Sequence, residues 1–251
     1  MVTSQFPAVA PQKPRFRENL SVEFPDAQCD LVVSHPALDP TLWNEYLDGA
    51  LRTYSKHGVE CTLDLDAIRN GSDTQLFLAT VDTKGHVVGG ARIIGPLRSA
   101  DDSHAVVEWA GNPGVHAVRK MINDRVPFGV VEVKAAWTDS NSHRGGSITT
   151  ALARCALPIL ALMEVQFVMA TAAAHVVDRW RSSGGVVASR IPAAAYPDDR
   201  YRTKMIWWDR STFAKHAEPE QLSRMLVETR KLMHDAETLS GIATAAAGAV
   251  P

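Results

Sequence analysis

One unit limits the folds open to this chain more than any other. Residues 130–137 (VVEVKAAW) read as a buried strand, and residues 147–163 as a helix that turns Ile148, Leu152, Cys155, Ala156, Ile159 and Leu162 inward. The segment between them is polar and ends on the adjacent glycines Gly145 and Gly146. A strand that passes through such a loop into an apolar-faced helix is a building unit of mixed α/β sheets. The loop also has a chemistry of its own. Neighbouring glycines let the backbone turn closely around an anion, while the free N–H groups and positive dipole end of the helix point toward it. Arg144, Ser147, Thr149 and Thr150 add donors. The same residues also suit a plain tight connection with Ser147 as N-cap.

The flanking sequence extends this unit on both sides. Residues 1–28 mix Pro, Gln and Ser without periodicity and are expected to form a flexible N-terminal arm. Residues 30–34 (DLVVS) read as a short strand. Over residues 40–57, Leu42, Tyr46, Leu47, Ala50, Leu51 and Tyr54 recur at helical spacing, with Gly58 placed to cap the end. Residues 75–97 give the clearest hairpin, two β-rich runs around the turn Asp82-Thr83-Lys84-Gly85. Residues 98–127 are mixed and are expected to be an insertion that shapes a substrate site. Beyond the central unit follow a strand at 166–171 (QFVMAT), a short helix at 174–182 and a late strand at 204–208 (KMIWW). From 219 to 241, Leu222, Met225, Leu226, Leu232, Met233 and Leu239 form an apolar stripe among charged residues. The expected organisation is a flexible arm over 1–28, one folded domain over 29–214, an appended amphipathic helix over 215–242 and a flexible tail over 243–251.

Composition removes several function classes. A formal net charge of −2 in 251 residues offers no broad basic field for nucleic acid. Cys29, Cys61 and Cys155 are far apart, odd in number and without metal-ligand spacing, so a reduced, cytoplasmic protein with no metal site is expected. Pro7, Pro11 and Pro14 interrupt the N-terminus, which argues against a signal peptide or anchor. Residues 151–174 are apolar but contain Arg154, Pro158, Glu164 and Gln166, so no membrane span is expected. Neither Gly-x-x-x-x-Gly-Lys-Ser/Thr nor Gly-x-Gly-x-x-Gly occurs, which leaves nucleotide hydrolysis and dinucleotide binding without their usual supports.

The run Arg144-Gly145-Gly146-Ser147-Ile148-Thr149 resembles, in register, the pyrophosphate loop of the GNAT acyltransferase superfamily, Arg/Gln-x-x-Gly-x-Gly/Ala between a central strand and a helix. Ser147 and Thr149 stand at two of its usual glycine positions. The order of elements over residues 30–210 is similar as well. The resemblance implies a GNAT-type α/β (α+β) fold, a mixed, mostly antiparallel central sheet flanked by helices. It implies no tightly bound cofactor, but acyl-CoA or the phosphopantetheine of an acyl carrier protein as co-substrate. Donor phosphates would lie on Arg144, Gly145, Gly146, Ser147, Ile148, Thr149 and Thr150, with the thioester beside the preceding strand. Trp180 stands where many members place the tyrosine that protonates the departing thiolate, so that acid does not carry over.

Within the superfamily, residues 85–96 (GHVVGGARIIGP) look like the hairpin of acyl-homoserine-lactone synthases and long-chain N-acyl amino acid synthases. Residues 129–137 look like their Glu-x-x-Arg strand, with Glu132 at the glutamate and Ala135 at the arginine. This resemblance implies direct transfer to a small amine, with an amino acid as one candidate: a neutral amine attacks the thioester, a base takes its proton and backbone donors polarise the carbonyl. Glu132 is the expected catalytic residue, and Arg92 and Trp137 are the expected substrate-binding residues. Bland readings stand beside these. Glu132 can be an ion-pair partner of Arg92 or Arg144, Arg92 a structural pair, Trp207 and Trp208 plain packing, Cys155 core filler, and His143, His175, Asp178 and Arg179 idle surface. Two other functions stay open, a small-amine N-acetyltransferase using acetyl-CoA and a GNAT-like binding module without activity. A homodimer through the last helix is also open.

Overall fold

The computed structural model of the chain describes residues 16–139 and 145–247, except the side chains of 240–247. Eight strands form one sheet in the order β1-β2-β3-β4-β5-β6-β8-β7. They are β1 (Leu20–Phe24), β2 (Cys29–Ser34), β3 (Thr74–Asp82), β4 (Val87–Ile94), β5 (Val130–Thr138), β6 (Phe167–Ala173), β7 (Val186–Val187) and β8 (Thr203–Asp209). Every neighbouring pair is antiparallel except β5 and β6, which run parallel. That one parallel pair needs a crossover, which the central strand-loop-helix unit supplies. The crossover breaks into α5 (Gly145–Arg154) and α6 (Ala156–Leu162) where one helix is expected. Pro158, which has no N–H and crowds the carbonyl one turn earlier, accounts for the break.

Alternation along the strands builds a core on each side of the sheet. On one face Leu76, Leu78, Ala91, Ile93 and Val131 pack with Ile148, Leu152, Ile159 and Leu160 of α5 and α6. On the other face α1 (Pro40–Lys56) stacks Trp43 and Tyr46 on Phe77 and Trp137. Beside it α2 (Leu65–Ile68), α3 (Ala105–Glu108) and α4 (Val115–Asn123) complete the layer, with Trp109, Val118 and Ile122 fully buried. Trp207 and Trp208 are neighbours on β8, so they enter opposite cores.

Two expected boundaries move. The flexible arm proposed for 1–28 is ordered from Phe16, and β1 pairs along β2 from Leu20↔Val33 to Phe24↔Cys29. Its L-S-V-E-F alternation buries Leu20, Val22 and Phe24, a period-2 signal masked by the Pro-rich residues before it. Beyond α7 (Val177–Arg181), the last helix, α8 (Pro219–Ala247), runs past residue 242 into the proposed flexible tail; residues 248–251 lie outside those described. Among the described residues, one stretch, Gly145–Leu162, is long and apolar enough to cross a membrane, yet 56% of it is buried inside the fold. It is the core of the crossover, and Arg154 within it is committed elsewhere.

Arg154 is 1% exposed and clamps the C-terminal helix to this core. Its Nε donates to Glu228 at 2.9 and 3.0 Å, its Nη1 and Nη2 to Asp26 at 2.9 and 3.0 Å, and its guanidinium lies 4.8 Å from the Phe24 ring centre. Loops, α5 and α8 therefore share one buried cation. Removing one partner of such a cluster leaves uncompensated charge, so Arg154→Ala is expected to lower urea-measured stability by about 3–5 kcal/mol. A loss below about 1 kcal/mol, the range of exposed pairs, would show that water already screens the cluster.

Candidate active site

The site begins where the sheet parts. β5 and β6 pair from Val130↔Phe167 to Val133↔Ala170 and no further, although β5 continues to Thr138 and β6 to Ala173. β6 stays with β8 to its end, Ala173↔Thr203. β5 stays with β4, but by a shifted register: Arg92 faces Lys134 and Gly90 faces Trp137, so Ala91 opposes two residues, Ala135 and Ala136. Ala135 has φ +47°. This bulge reverses the alternation, which places Trp137 on the same face as Glu132 and Lys134. Gly90 is required opposite the tryptophan, because a Cβ there would lie 2.3 Å from the Leu78 carbonyl oxygen.

The parting opens a cavity of about 430 Å³. Its walls come from both faces of the sheet. Val133, Thr149, Leu152 and Trp180 line it on the α5 side, and Arg92, His104, Glu108, Lys134, Trp137 and Tyr196 on the other. The cavity is thus a passage between the amino-terminal end of α5 and a buried polar cluster.

That cluster centres on Glu108, at the end of α3. Its Oε1 accepts from Thr171 at 3.0 Å, meets His104 Nδ1 at 3.0 Å and lies 3.6 Å from Lys134 Nζ. Burial alone would raise the Glu108 carboxyl, but the His104 hydrogen bond, the Lys134 charge and the Thr171 hydroxyl hold it below the usual carboxylate range. An ionised carboxylate only accepts, so His104 carries its proton on Nδ1 and leaves Nε2 without a hydrogen-bond partner among the described residues. Burial lowers Lys134, against the pull of Glu132 and Glu108. Burial likewise pushes the Tyr196 phenol up to about 12, with Glu108 adding to the rise.

The structure separates the expected site residues. Glu132 is fully buried and absent from the cavity wall. Its Oε2 accepts from the His104 backbone N–H at 3.1 Å, and Ser103 also donates to it, so it holds the start of α3 from below. Arg92 and Trp137 do line the cavity. Arg92 Nη1 is held by Asp73 at 2.7 Å and Thr74 at 3.0 Å, with Nε unpartnered among the described residues. Of the residues expected to hold the donor, Arg144 lies outside the described residues, as does the neighbouring His143. Gly145 to Thr150 form the first turns of α5, where Gly146 and Ser147 are exposed, Thr149 lines the cavity and Ile148 is in the core. The Thr149 and Thr150 hydroxyls donate back to the carbonyls of Gly145 and Gly146 at 2.8 and 3.0 Å instead of pointing to a ligand. What this end of α5 offers an anion is therefore its backbone N–H groups and Arg179. A Cβ on Gly146 would be 3.7 Å from the Arg179 Nη2.

Glu108 and His104 are absent from the sequence reading, in which Arg179 stands only as idle surface. The spacing of His104 and Glu108, one helical turn apart within the insertion, was the available signal. Strand alternation turns Lys134 away from position 135, where the resemblance puts an arginine. Lys134 faces the same way as Glu132, and with Ala135 spent on the bulge it joins Arg92 as a cation in the cavity wall.

Comparison with known proteins agrees with this architecture. FeeM, an N-acyl amino acid synthase from uncultured soil microbes, superposes with a TM-score of 0.51 at 12% identity, over 75% of this chain and 96% of its own. BjaI, a CoA-dependent acyl-homoserine lactone synthase solved with SAM and isopentyl-CoA, gives 0.51 at 14% identity, over 78% and 87%. The chain has the GNAT-type fold of these acyltransferases. No protein-family model matches the sequence. At the sequence level the chain is 73% identical over 250 residues to uncharacterized protein Rv1356c of Mycobacterium tuberculosis H37Rv and to uncharacterized protein Mb1391c of Mycobacterium bovis, covering 99% of this chain and 95% of each relative. It belongs to one family with these mycobacterial proteins.

Glu132 provides a test of the buried cluster. In the unfolded chain it ionises near about 4.3, whereas burial raises it in the fold. The stability it contributes is complete below about pH 4 and is lost as pH rises through the folded-state value. Glu132→Gln keeps an acceptor for the His104 N–H. It is expected to unfold at higher urea than wild type at neutral pH and at the same urea near pH 4. Equal midpoints at both pH values would mean that the carboxylate is as well solvated in the fold as outside it.

Proposed function

We propose that this protein is an N-acyltransferase that moves an acyl group directly from a pantetheine thioester to an amine. The reading is carried by one observation: a single passage through the parted sheet joins the amino-terminal end of α5 to the His104–Glu108–Lys134 cluster. In this reading the donor's phosphates lie on the α5 N–H groups with Arg144 and Arg179, and its pantetheine arm runs along β5 where β6 has left it. The arm is common to CoA and to carrier proteins, and the site is suited to either.

The acceptor enters on the opposite face. His104 Nε2 takes the proton from the attacking amine, and Glu108, fixed on Nδ1, stabilises the imidazolium. The proton then returns to the departing thiolate, which offsets the lack of a tyrosine at Trp180. Glu132 acts from beneath by holding the His104 backbone, a positioning part in place of the base expected from its sequence context. An amino acid is the acceptor class we favour, because Arg92 offers a cation for a carboxylate on the same wall where Glu108 offers a carboxylate for an ammonium group.

Donor binding and turnover separate the two ends of the passage. Arg144→Glu and Arg179→Glu are expected to abolish or strongly weaken the rise in melting temperature caused by acyl-CoA, since a ligand bound only to the folded state stabilises it. His104→Ala and Glu108→Gln are expected to keep that rise while losing about 10²–10⁴-fold in acyl transfer to an amine panel. Unchanged donor affinity in both arginine variants would remove the donor assignment.

A further inference from the structure

Lys134 has a position that the transfer reaction itself does not require. Among the described residues it is the one lysine in the cavity wall. It is the first residue of β5 beyond the last pair with β6, Val133↔Ala170. Its side chain projects to the acceptor face, 12% exposed, with Nζ 3.6 Å from Glu108 Oε1. A primary amine therefore stands at the point where the passage emerges, next to Glu108 and the His104 that Glu108 holds.

We propose that Lys134 is an internal acyl acceptor, so that the protein acylates its own Lys134 Nζ when a thioester is bound and no external amine occupies the cavity; this rests on the thioester-donor reading above. The neutral amine attacks the thioester carbonyl carbon. The C–N bond forms, the C–S bond breaks and its electron pair leaves on sulfur. The proton lost by nitrogen passes to His104 Nε2 and then to the thiolate, which gives an amide on Lys134 and a free thiol. No oxidant, reductant or further co-reactant enters.

Two physical features favour the step. Burial shifts Lys134 toward its neutral form, and a neutral amine is the nucleophile. The cavity also fixes the lysine beside the route of the donor, which replaces a bimolecular encounter with an intramolecular one. The product has a regulatory consequence. An acyl-lysine removes the cation that faces Glu108 and Glu132 and puts its chain in the acceptor space, so the modified protein would be closed to external amines.

The test needs no knowledge of the acceptor. The full-length protein is incubated with acetyl-CoA or octanoyl-CoA without added amine, then examined by intact mass and peptide mapping, with binding of CoA followed by thermal shift. The expected result is one acyl group, mapped to Lys134, in the folded protein. It should be absent from protein held in urea and from Lys134→Arg. If CoA stabilises the protein but Lys134 stays unmodified, or if modification spreads over surface lysines equally in folded and unfolded protein, self-acylation is overturned and the donor reading stands. If neither CoA nor acyl-CoA stabilises the protein and no adduct forms, both fall together.

Discussion

Everything distinctive in this molecule follows from two strands that stop pairing while both continue. β5 is committed to β4 and β6 to β8, and after Val133↔Ala170 the two halves of the sheet diverge. Backbone groups freed inside a sheet need other partners. Tyr46 and Tyr54 of α1 reach across to donate to the Ala135 and Ala136 carbonyls at 2.8 and 3.3 Å. The bulge at Ala135 is part of the same event, because it keeps β5 bound to β4 while turning Trp137 into the α1 core. A cavity made this way is lined by strand backbone and by side chains from both faces, which a continuous sheet cannot offer.

The second constraint is the charge placed beside that opening. Two carboxylates and one lysine from distant parts of the chain are withdrawn from water side by side, an arrangement that is costly unless each group is paired. Glu108 is satisfied by three groups on Oε1, Glu132 by the backbone at the start of α3. Each also keeps one buried oxygen without a partner among the described residues, Glu108 Oε2 and Glu132 Oε1. Of the two only Glu108 lines the cavity, which makes it the candidate for chemistry, while Glu132 lies beneath the wall. By contrast the Arg154 cluster, equally buried, has its donors matched to Asp26, Glu228 and Gln221 and serves to fasten α8 to the core.

Much of the fold was legible because its signals are local. The hairpin of β3 and β4 lies in alternating residues around Asp82-Thr83-Lys84-Gly85, and the central strand-loop-helix unit in one contiguous run. β1 was lost because five alternating residues are a weak signal after a proline-rich stretch. The site was legible only in part. Residues 144–150 were marked as a donor loop by their order, and Glu132, Arg92 and Trp137 by a resemblance of short segments. Glu108 and His104 share only a one-turn spacing in a mixed segment, and nothing in the local sequence says that α3 folds back over β5.

By itself the sequence determined the order of most strands and helices and the apolar faces of the main helices, since each depends on periodicities within a few turns or one strand; the mostly antiparallel sheet was implied by the resemblance of residues 144–149. Only the tertiary structure decided which carboxylate meets the cavity. The bulge at Ala135, the register of Arg92 against Lys134 and the contact of α3 with β5 join residues far apart in the chain. Together they sink Glu132 beneath the site and put Glu108 and Lys134 in the cavity wall.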